Sequence, residues 1–183
     1  MIVGFAGKKQ SGKSTAARHL LLSHDFITYS FAEPLKEMGE VLLAALGLTL
    51  DEIYEVYEGK EQVIHPIGVT WRQLLQTLGT EWGRTHIHPD LWVMCAREFF
   101  EQNRHCDIVI DDVRFENEAA LIREMGGVII HVFRNTDLVD DHSSERGIKP
   151  VAPDFVCTNE GSIDSFQSDL DNLVWSSRFA IAL

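Results

Sequence analysis

An early segment of the chain has the residue types and the spacing of a phosphate-binding loop. Residues 7–14 read G-K-K-Q-S-G-K-S and fit the pattern G-x-x-x-x-G-K-[ST]. Glycines let backbone N–H groups turn inward around an anion, and the helix that follows adds the positive end of its dipole. In this pattern Lys13 contacts the β- and γ-phosphates of a nucleotide, and the Ser14 hydroxyl binds Mg²⁺. The segment predicts a nucleoside triphosphate site, but it does not name a phosphate acceptor.

A second group of charged residues follows the apolar run 108–110. Asp111, Asp112 and Arg114 come where that run ends, and open α/β sheets bind ligands at the carboxyl ends of their strands. A carboxylate there can hold Mg²⁺ directly or through water, and an arginine can hold a phosphate by two parallel hydrogen bonds. The alternative is an aspartate that caps the next helix and an arginine in a surface ion pair. We expect Asp111 to bind Mg²⁺ together with Ser14.

Other basic and polar residues occupy positions from which they could reach an anion. Lys36 lies in the first turn of a predicted helix, where a cation opposes the helix dipole unless an anion is near. A solvated surface lysine is the alternative. Arg72, Gln76 and Thr80 are spaced by four residues, so one side of a helix could present all three to an acceptor.

The polar segment 135–153 predicts a surface loop. Arg134 and Arg146 either contact phosphate or remain idle surface charges. We expect His142 to form hydrogen bonds rather than to act as a catalytic base.

Apolar periodicity predicts the elements that position these residues. Short apolar runs predict buried parallel strands at residues 2–6, 26–31, 107–110, 128–133 and 154–158. Helical spacing predicts helices at residues 13–22, 33–46, 71–82, 89–103, 116–125 and 163–174. The acidic stretch 49–69 has weak periodicity and predicts a mobile excursion from the core. The alternation predicts a three-layer α/β fold, with a five-stranded parallel sheet and helices on both faces.

Length and charge limit the classes of protein and partner. A chain of 183 residues can bury one core but is short for two ordinary domains with a linker, so we expect a single domain, 1–183. Sixteen Lys and Arg against 28 Asp and Glu give a net charge of -12, which argues against polymeric nucleic acid as a partner. A small anion can still bind where a few basic residues converge.

Cysteine usage and hydropathy indicate the compartment. Cys95, Cys106 and Cys157 lack metal-ligand spacing, and their odd number argues against a disulfide framework. No signal peptide and no membrane span are visible in the sequence. We therefore expect a cytoplasmic protein without a membrane partner. The sequence leaves the oligomeric state open, including a homodimer.

Taken in order, these motifs resemble those of the P-loop nucleoside monophosphate kinases. In those enzymes a core strand ends in an aspartate, followed shortly by an arginine that clamps the acceptor phosphate; Asp111 and Arg114 occupy similar places, with a shorter gap than in adenylate kinases. A closer resemblance, along nearly the whole chain, is to bacteriophage deoxynucleoside monophosphate kinases. It is carried by S-G-K at 11–13, A-E-P-L-K at 32–36, R-Q-L-L-Q-T-L-G-T at 72–80, D-V-R at 112–114, G-G-V-I-I-H-V at 126–132 with Arg134, H-S-S-E at 142–145 and T-N-E-G-S at 158–162.

This resemblance implies ATP-dependent phosphorylation of a deoxynucleoside monophosphate to the diphosphate, with Mg²⁺ as cofactor. It implies an acceptor-binding helical region at about residues 33–100 and a short lid, at about residues 134–150, that closes over the transferring phosphate. If a phage encodes the chain, the expected compartment is the host cytoplasm. The implied ATP-binding residues are Gly7, Lys9, Ser11, Gly12, Lys13, Ser14, Thr15, Asn159 and Gly161. The implied acceptor-binding residues are Lys36, Arg72, Gln76, Thr80 and Arg114, and the implied catalytic residues are Lys13, Asp111, Arg114 and Arg134. No general base is needed, because an acceptor phosphate oxygen is already a nucleophile.

Two other functions remain open from sequence. A P-loop kinase for another small acceptor, such as dephospho-coenzyme A, would need a carboxylate base for a hydroxyl, and Asp111 or Asp112 could serve. A nucleotide-dependent switch shares the loop, although the chain has no Asn-Lys-x-Asp guanine signature. The stretch 48–69 is much shorter than the matching region of the larger phage enzymes, so neither base preference nor sugar preference follows from the resemblance.

Overall fold

The computed structural model describes residues 1–65, 67–135 and 147–180, with side chains described through residue 177. Its strands are β1 (Ile2–Ala6), β2 (Ile27–Tyr29), β3 (Val63–Ile64), β4 (Val69–Thr70), β5 (Ile108–Ile110), β6 (Val128–Phe133) and β7 (Phe155–Thr158). Its α-helices are α1 (Lys13–Ser23), α2 (Glu33–Ala45), α3 (Leu50–Glu58), α4 (Trp71–Gln76), α5 (Leu91–Gln102), α6 (Glu116–Glu124) and α7 (Ile163–Ala180). A π-helix, Thr77–Ile87, continues directly from α4.

These elements form two compact units. The first, called here the sheet unit, comprises Met1–Phe31 and Ala96–Leu183. The second, called the helical unit, comprises Ala32–Cys95. Each unit has its own group of buried apolar side chains, described below.

The sheet unit contains a five-stranded sheet in the order β2-β5-β1-β6-β7. All neighbouring strands are parallel, and Val3 of β1 lies opposite Val109 of β5 and Val128 of β6. Strands β1 and β5 are buried along their whole length, as expected for a parallel sheet covered on both sides. The predicted five-stranded parallel sheet is confirmed, including the strand expected near residues 154–158.

Alternate residues of β1 show which helices cover each face of the sheet. Val3 belongs to one apolar cluster with Leu20 of α1 and Leu170 of α7. A Cβ atom at Gly4 would lie only 2.7 Å from Cδ1 of Ile122 on α6. Because neighbouring side chains of a strand point to opposite faces, α1 and α7 cover one face and α6 the other. The predicted three-layer α/β fold with helices on both faces is therefore confirmed.

The helical unit is ordered around a small apolar core of Leu43, Ile53, Ile64 and Trp71. Residues 49–69, which the sequence predicts as a mobile excursion from the core, contain α3 and an antiparallel hairpin of β3 and β4. The Thr49 backbone N–H donates to Glu52 Oε2 at 2.7 Å, and the Glu52 N–H donates back to Thr49 Oγ1 at 3.4 Å. This capping box starts a helix too short and too acidic for its periodicity to be clear.

Two helices extend at least five residues beyond their predicted ends. The helix expected at residues 71–82 changes from α to π at Thr77 and reaches Ile87, so α5 begins only at Leu91. The last helix was expected to end at residue 174 and instead extends to Ala180. Most of the predicted lid, residues 136–146, with His142 and Arg146, lies outside the described residues.

Candidate active site

The loop between β1 and α1 has a backbone shape that its two glycines make accessible. Gly7 has φ 148° and Gly12 has φ 114°, values that residues with a side chain rarely adopt. A Cβ atom at Gly7 would lie 2.4 Å from the Val132 carbonyl oxygen, and one at Gly12 would lie 2.4 Å from Asn159 Nδ2. Both glycines are thus required by conformation and by space, and β6 and the end of β7 pack directly against the loop.

Lys13 is held across this loop. Its Nζ donates to the carbonyl oxygens of Gly7 at 2.8 Å and Lys8 at 2.7 Å. Lys13 is also the first residue of α1, whose N-cap Gly12 offers no side-chain acceptor to the first-turn N–H groups. An ammonium and the uncapped positive end of a helix therefore lie at the same loop, which favours binding of an anion.

Ser14 and Asp111 come together although they are 97 residues apart. The Ser14 hydroxyl donates to Asp111 Oδ2 at 2.7 Å, and this contact is exposed. Asp111 directly follows β5, the strand next to β1 in the sheet. A hydroxyl and a carboxylate oxygen at one accessible point are ligand types that Mg²⁺ prefers, so this pair fits a magnesium ion.

Asp112 has a structural role. Its Oδ1 accepts from the Phe31 N–H at 3.0 Å and its Oδ2 accepts from the Ser30 hydroxyl at 2.8 Å. These bonds join the end of β5 to the chain leaving β2. Asp111, in turn, accepts a hydrogen bond from Ser14 of the phosphate-loop pattern.

Arg114 is anchored through its backbone by a residue that the sequence analysis missed. The N–H groups of Arg114 and Phe115 donate to Glu118 Oε2 at 2.7 and 3.0 Å, and the Glu118 side chain is buried. A glutamate at the third position of a helix commonly caps its start, and Glu118 stands there relative to Glu116. The position of Glu118, third in the predicted helix that begins at residue 116, could have identified it as a capping residue. It holds the turn that carries Arg114, whose side chain is half-buried.

The remaining predicted ATP-binding residues occupy different settings around the loop. Asn159 donates from Nδ2 to the Ser11 carbonyl oxygen at 2.9 Å, and its own N–H donates to the Phe133 carbonyl oxygen at 2.7 Å. The Ser11 hydroxyl is buried and has no hydrogen-bond partner within the described ranges. Lys9 lies in the loop, whereas Thr15 in α1, Arg134 after β6 and Gly161 after β7 are exposed.

The predicted acceptor residues other than Arg114 belong to the helical unit. Lys36 Nζ lies 2.8 Å from Glu33 Oε2, and Arg72 Nε lies 2.6 Å from Glu61 Oε1. Gln76 ends α4, and Thr80 lies in the π-helix. In an α-helix a spacing of eight residues overshoots two turns by about 80°, and the wider π turn reduces this offset. The π-helix thus favours Thr80 on the same side as Arg72.

Trp92 packs against the π-helix. Its Nε1 donates to the Gly79 carbonyl oxygen at 2.8 Å, and a Cβ atom at Gly83 would lie 2.4 Å from the Trp92 ring. The indole therefore packs against two turns of this helix where side chains are absent. Trp92 is buried, while Trp82, whose ring centroid is 6.4 Å away, is partly exposed.

A charged network fixes the chain just before β7. Asp154 accepts from Arg123 Nε at 2.9 Å, Arg123 Nη2 at 2.7 Å and the Val151 N–H at 3.1 Å, and it lies 2.9 Å from His131 Nε2. Burial raises the pKa of Asp154, but the bonds from Arg123 and His131 outweigh this, and its pKa lies below the usual value. The network ties the segment that follows the predicted lid to α6 and β6.

We expect Asp154→Asn to lower the free energy of unfolding by about 1 to 2 kcal/mol at neutral pH, because the bonds to Arg123 and His131 lose a charged acceptor. A carboxylate with a lowered pKa stabilises the fold above its unfolded pKa of about 4 and loses that contribution as pH falls. Urea unfolding at neutral pH and in acid should therefore show a difference that shrinks in acid. Exposed Asp169→Asn is the control, and equal stability of Asp154→Asn and the unmutated chain at neutral pH would contradict this role.

No helix among the described residues has the length and apolar character needed to cross a membrane.

Comparison with known proteins gives one consistent result. The sequence model of the deoxynucleotide monophosphate kinase family matches residues 47–170. A protein of Acanthamoeba polyphaga mimivirus, named as a deoxynucleotide monophosphate kinase, is 35% identical over 95% of this chain and 96% of its own length. The deoxynucleoside-5'-monophosphate kinase of Escherichia phage T5 is 25% identical over 81% of this chain and 85% of its own length. The deoxynucleotide monophosphate kinase of Escherichia phage RB69 is 31% identical, over 64% of this chain and 51% of its own length.

Proposed function

Because the chain belongs to the deoxynucleotide monophosphate kinase family, we propose that it transfers the γ-phosphate of ATP to the phosphate of a deoxynucleoside monophosphate. An acceptor phosphate oxygen attacks the γ-phosphorus, the bond to the β,γ-bridging oxygen breaks, and ADP and a deoxynucleoside diphosphate are released. The observation that carries the proposal is the glycine loop with Lys13 held across it beside the Ser14–Asp111 pair.

The loop and Lys13 act on the donor. Gly12 offers the first-turn N–H groups of α1 no side-chain acceptor, and in this proposal these groups donate to β-phosphate oxygens. Lys13 exchanges its two loop carbonyls for β- and γ-phosphate oxygens, and its charge offsets the negative charge that develops on the leaving ADP. Lys9, Ser11, Thr15, Asn159 and Gly161 complete the ATP site in this proposal.

Ser14 and Asp111 hold Mg²⁺ in this scheme. When bound, Mg²⁺ neutralises charge on the phosphate oxygens of ATP. The Ser14 hydroxyl gives up its bond to Asp111, and the two residues then contribute a hydroxyl oxygen and a carboxylate oxygen, directly or through water.

The acceptor is bound by positive charge and hydrogen bonds. Arg114 holds the acceptor phosphate, and Arg72 and Lys36 release their glutamate partners to contribute further charge. Gln76 and Thr80 offer polar groups to the nucleoside. The positive charge of Arg134 stabilises the transferring phosphoryl group. In this proposal the lid closes over the site and excludes water. Because ATP and deoxynucleoside monophosphates are cytoplasmic metabolites, we place the reaction in the cytoplasm.

A substrate screen tests the function. The purified chain is given ATP and Mg²⁺ with each common ribo- and deoxyribonucleoside monophosphate in turn, and diphosphate products are separated and counted. We expect products with one or more deoxyribonucleoside monophosphates and little ATP turnover without an acceptor. Turnover that needs no acceptor would indicate a switch, and product only with dephospho-coenzyme A would indicate the other kinase class.

The metal assignment predicts that excess chelator abolishes activity, because Ser14 and Asp111 then have no ion to bind. Asp111→Asn keeps an acceptor for Ser14 but removes the charge, so the Mg²⁺ concentration for half-maximal rate should rise at least about tenfold. The assay is a Mg²⁺ titration at saturating ATP, with exposed Asp51→Asn as the control. An unchanged Mg²⁺ requirement in Asp111→Asn would exclude this residue as a ligand.

A further inference from the structure

A second cluster of metal-binding residue types lies in the sheet unit, in residues that the phosphoryl-transfer scheme does not use. His19 Nε2 and His24 Nε2 lie 2.7 and 2.8 Å from the same oxygen, Oδ1 of Asp171. The two imidazole rings meet edge to face, with centroids 5.8 Å apart. All three ligand atoms lie within 4.8 Å of one another.

The end of α1 explains how two histidines five residues apart share one target. On a continuous α-helix, residues at i and i+5 point about 140° apart. Here α1 ends at Ser23, and His24 leaves the helix with φ -138° and ψ 20° while its N–H still bonds to the Leu20 carbonyl oxygen. Its imidazole thus returns to the side of His19. Asp171 comes from α7, which packs beside α1 through Leu170 and Leu20.

The cluster offers a carboxylate oxygen and two imidazole nitrogens to an ion. The side chains of His19, His24 and Asp171 are 11%, 33% and 43% exposed. His19 is therefore mostly covered by protein, while Asp171 is accessible to solvent. An ion and its waters can reach it.

We propose that His19 Nε2, His24 Nε2 and Asp171 Oδ1 form a binding site for Zn²⁺. Two imidazoles and a carboxylate are among the usual zinc ligand sets, and water fills the fourth position of such sites. Bonds of 2.0–2.2 Å in a tetrahedron place ligand atoms about 3.3 to 3.5 Å apart. The present nitrogen–oxygen separations therefore need to open by about half an ångström to an ångström, which small side-chain rotations supply.

This site differs in chemistry from the magnesium pair. Mg²⁺ prefers oxygen ligands, whereas imidazole nitrogens suit zinc and its neighbours in the periodic table. Neither Nδ1 atom has a hydrogen-bond partner among the residues that the structure describes, so each Nδ1 can carry the ring proton and donate it to water when Nε2 binds an ion. The ion would join the carboxyl end of α1, the helix that begins at the phosphate loop, to α7.

The test uses the full chain without a histidine tag. Equilibrium dialysis against Zn²⁺ measures stoichiometry and affinity, visible absorption of bound Co²⁺ reports the ligand geometry, and thermal unfolding with and without Zn²⁺ reports stabilisation of the native state. The variants are His24→Gln and Asp171→Asn, and the matched control is His105→Gln, which removes an exposed imidazole elsewhere. Circular dichroism verifies that each variant is folded.

We expect one Zn²⁺ per chain, tetrahedral-type Co²⁺ absorption and a raised Tm. His24→Gln and Asp171→Asn should each weaken Zn²⁺ binding at least about a hundredfold, since loss of a direct ligand exceeds the 10- to 100-fold cost typical of losing outer support. His105→Gln should bind as the unmutated chain does. The proposal is overturned if no Zn²⁺ binds up to about 100 μM, where a three-ligand site should be filled, or if binding persists unchanged in folded His24→Gln and Asp171→Asn.

Discussion

Lys13→Ala is expected to leave a folded protein whose kcat is lower by at least about a hundredfold. Two loop carbonyls already hold the Lys13 ammonium, so it reaches ATP with little reorganisation. Its contacts strengthen as negative charge moves onto the leaving ADP, and an interaction made mainly in the transition state appears in kcat rather than only in KM. The Gly7 and Lys8 carbonyls left behind can bond to water, since neither residue is buried.

Steady-state kinetics with an acceptor nucleotide measure this effect, and a thermal unfolding curve verifies the fold. Arg18→Ala is the control, because Arg18 is an exposed cation on the same helix and is outside the phosphate pattern. Its rate should stay close to that of the unmutated chain. A near-normal kcat for Lys13→Ala would rule out the assignment of the donor site.

Local patterns explain how much of this site was predictable. The glycine loop is a short continuous motif whose backbone geometry depends on two residue types, so its spacing alone indicates its shape. The positions where β5 and β6 end could be predicted from apolar runs, because the strands of a parallel sheet covered on both faces are apolar along their length. Carboxyl ends of neighbouring strands meet at one edge, which is why Asp111 could be expected near Ser14.

Features that depend on distant parts of the chain were not predictable. His19 and Asp171 are 152 residues apart, and their contact exists only because α1 and α7 pack on the same face of the sheet. Arg123 and Asp154 meet for a similar reason, across 31 residues. Trp92 packs against Gly79 and Gly83 of the π-helix, and no periodicity in the sequence predicts these contacts. By contrast, α3 carried a readable signal in Thr49 and Glu52, which the weak apolar pattern obscured.

Arg114→Ala is expected to cost about 2 to 4 kcal/mol in the acceptor's kcat/KM while changing ATP affinity little. Arg114 follows Asp111 by three residues, and Glu118 holds its backbone, so replacing the side chain leaves the turn supported. In the proposed scheme Lys13 neutralises the donor and Arg114 holds the acceptor phosphate, so the two anions have separate cations. Damage from losing Arg114 should therefore be selective for the acceptor.

Arg114→Lys makes the prediction sharper. Lysine keeps the charge but loses the planar pair of N–H donors that matches two phosphate oxygens, so this change should also impair acceptor kcat/KM, although less than alanine does.

Two measurements on the same preparation test the assignment of Arg114: calorimetry gives ATP binding, and steady-state kinetics at saturating ATP give the acceptor kcat/KM. Arg104→Ala is the control, because it removes an exposed arginine paired with Glu101. Weakened ATP binding with unchanged acceptor kinetics would reverse the assignment, because Arg114 would then belong to the donor. A rate for Arg114→Lys equal to that of the unmutated chain would instead mean that only charge matters there, and that the acceptor phosphate is not held by a paired guanidinium contact.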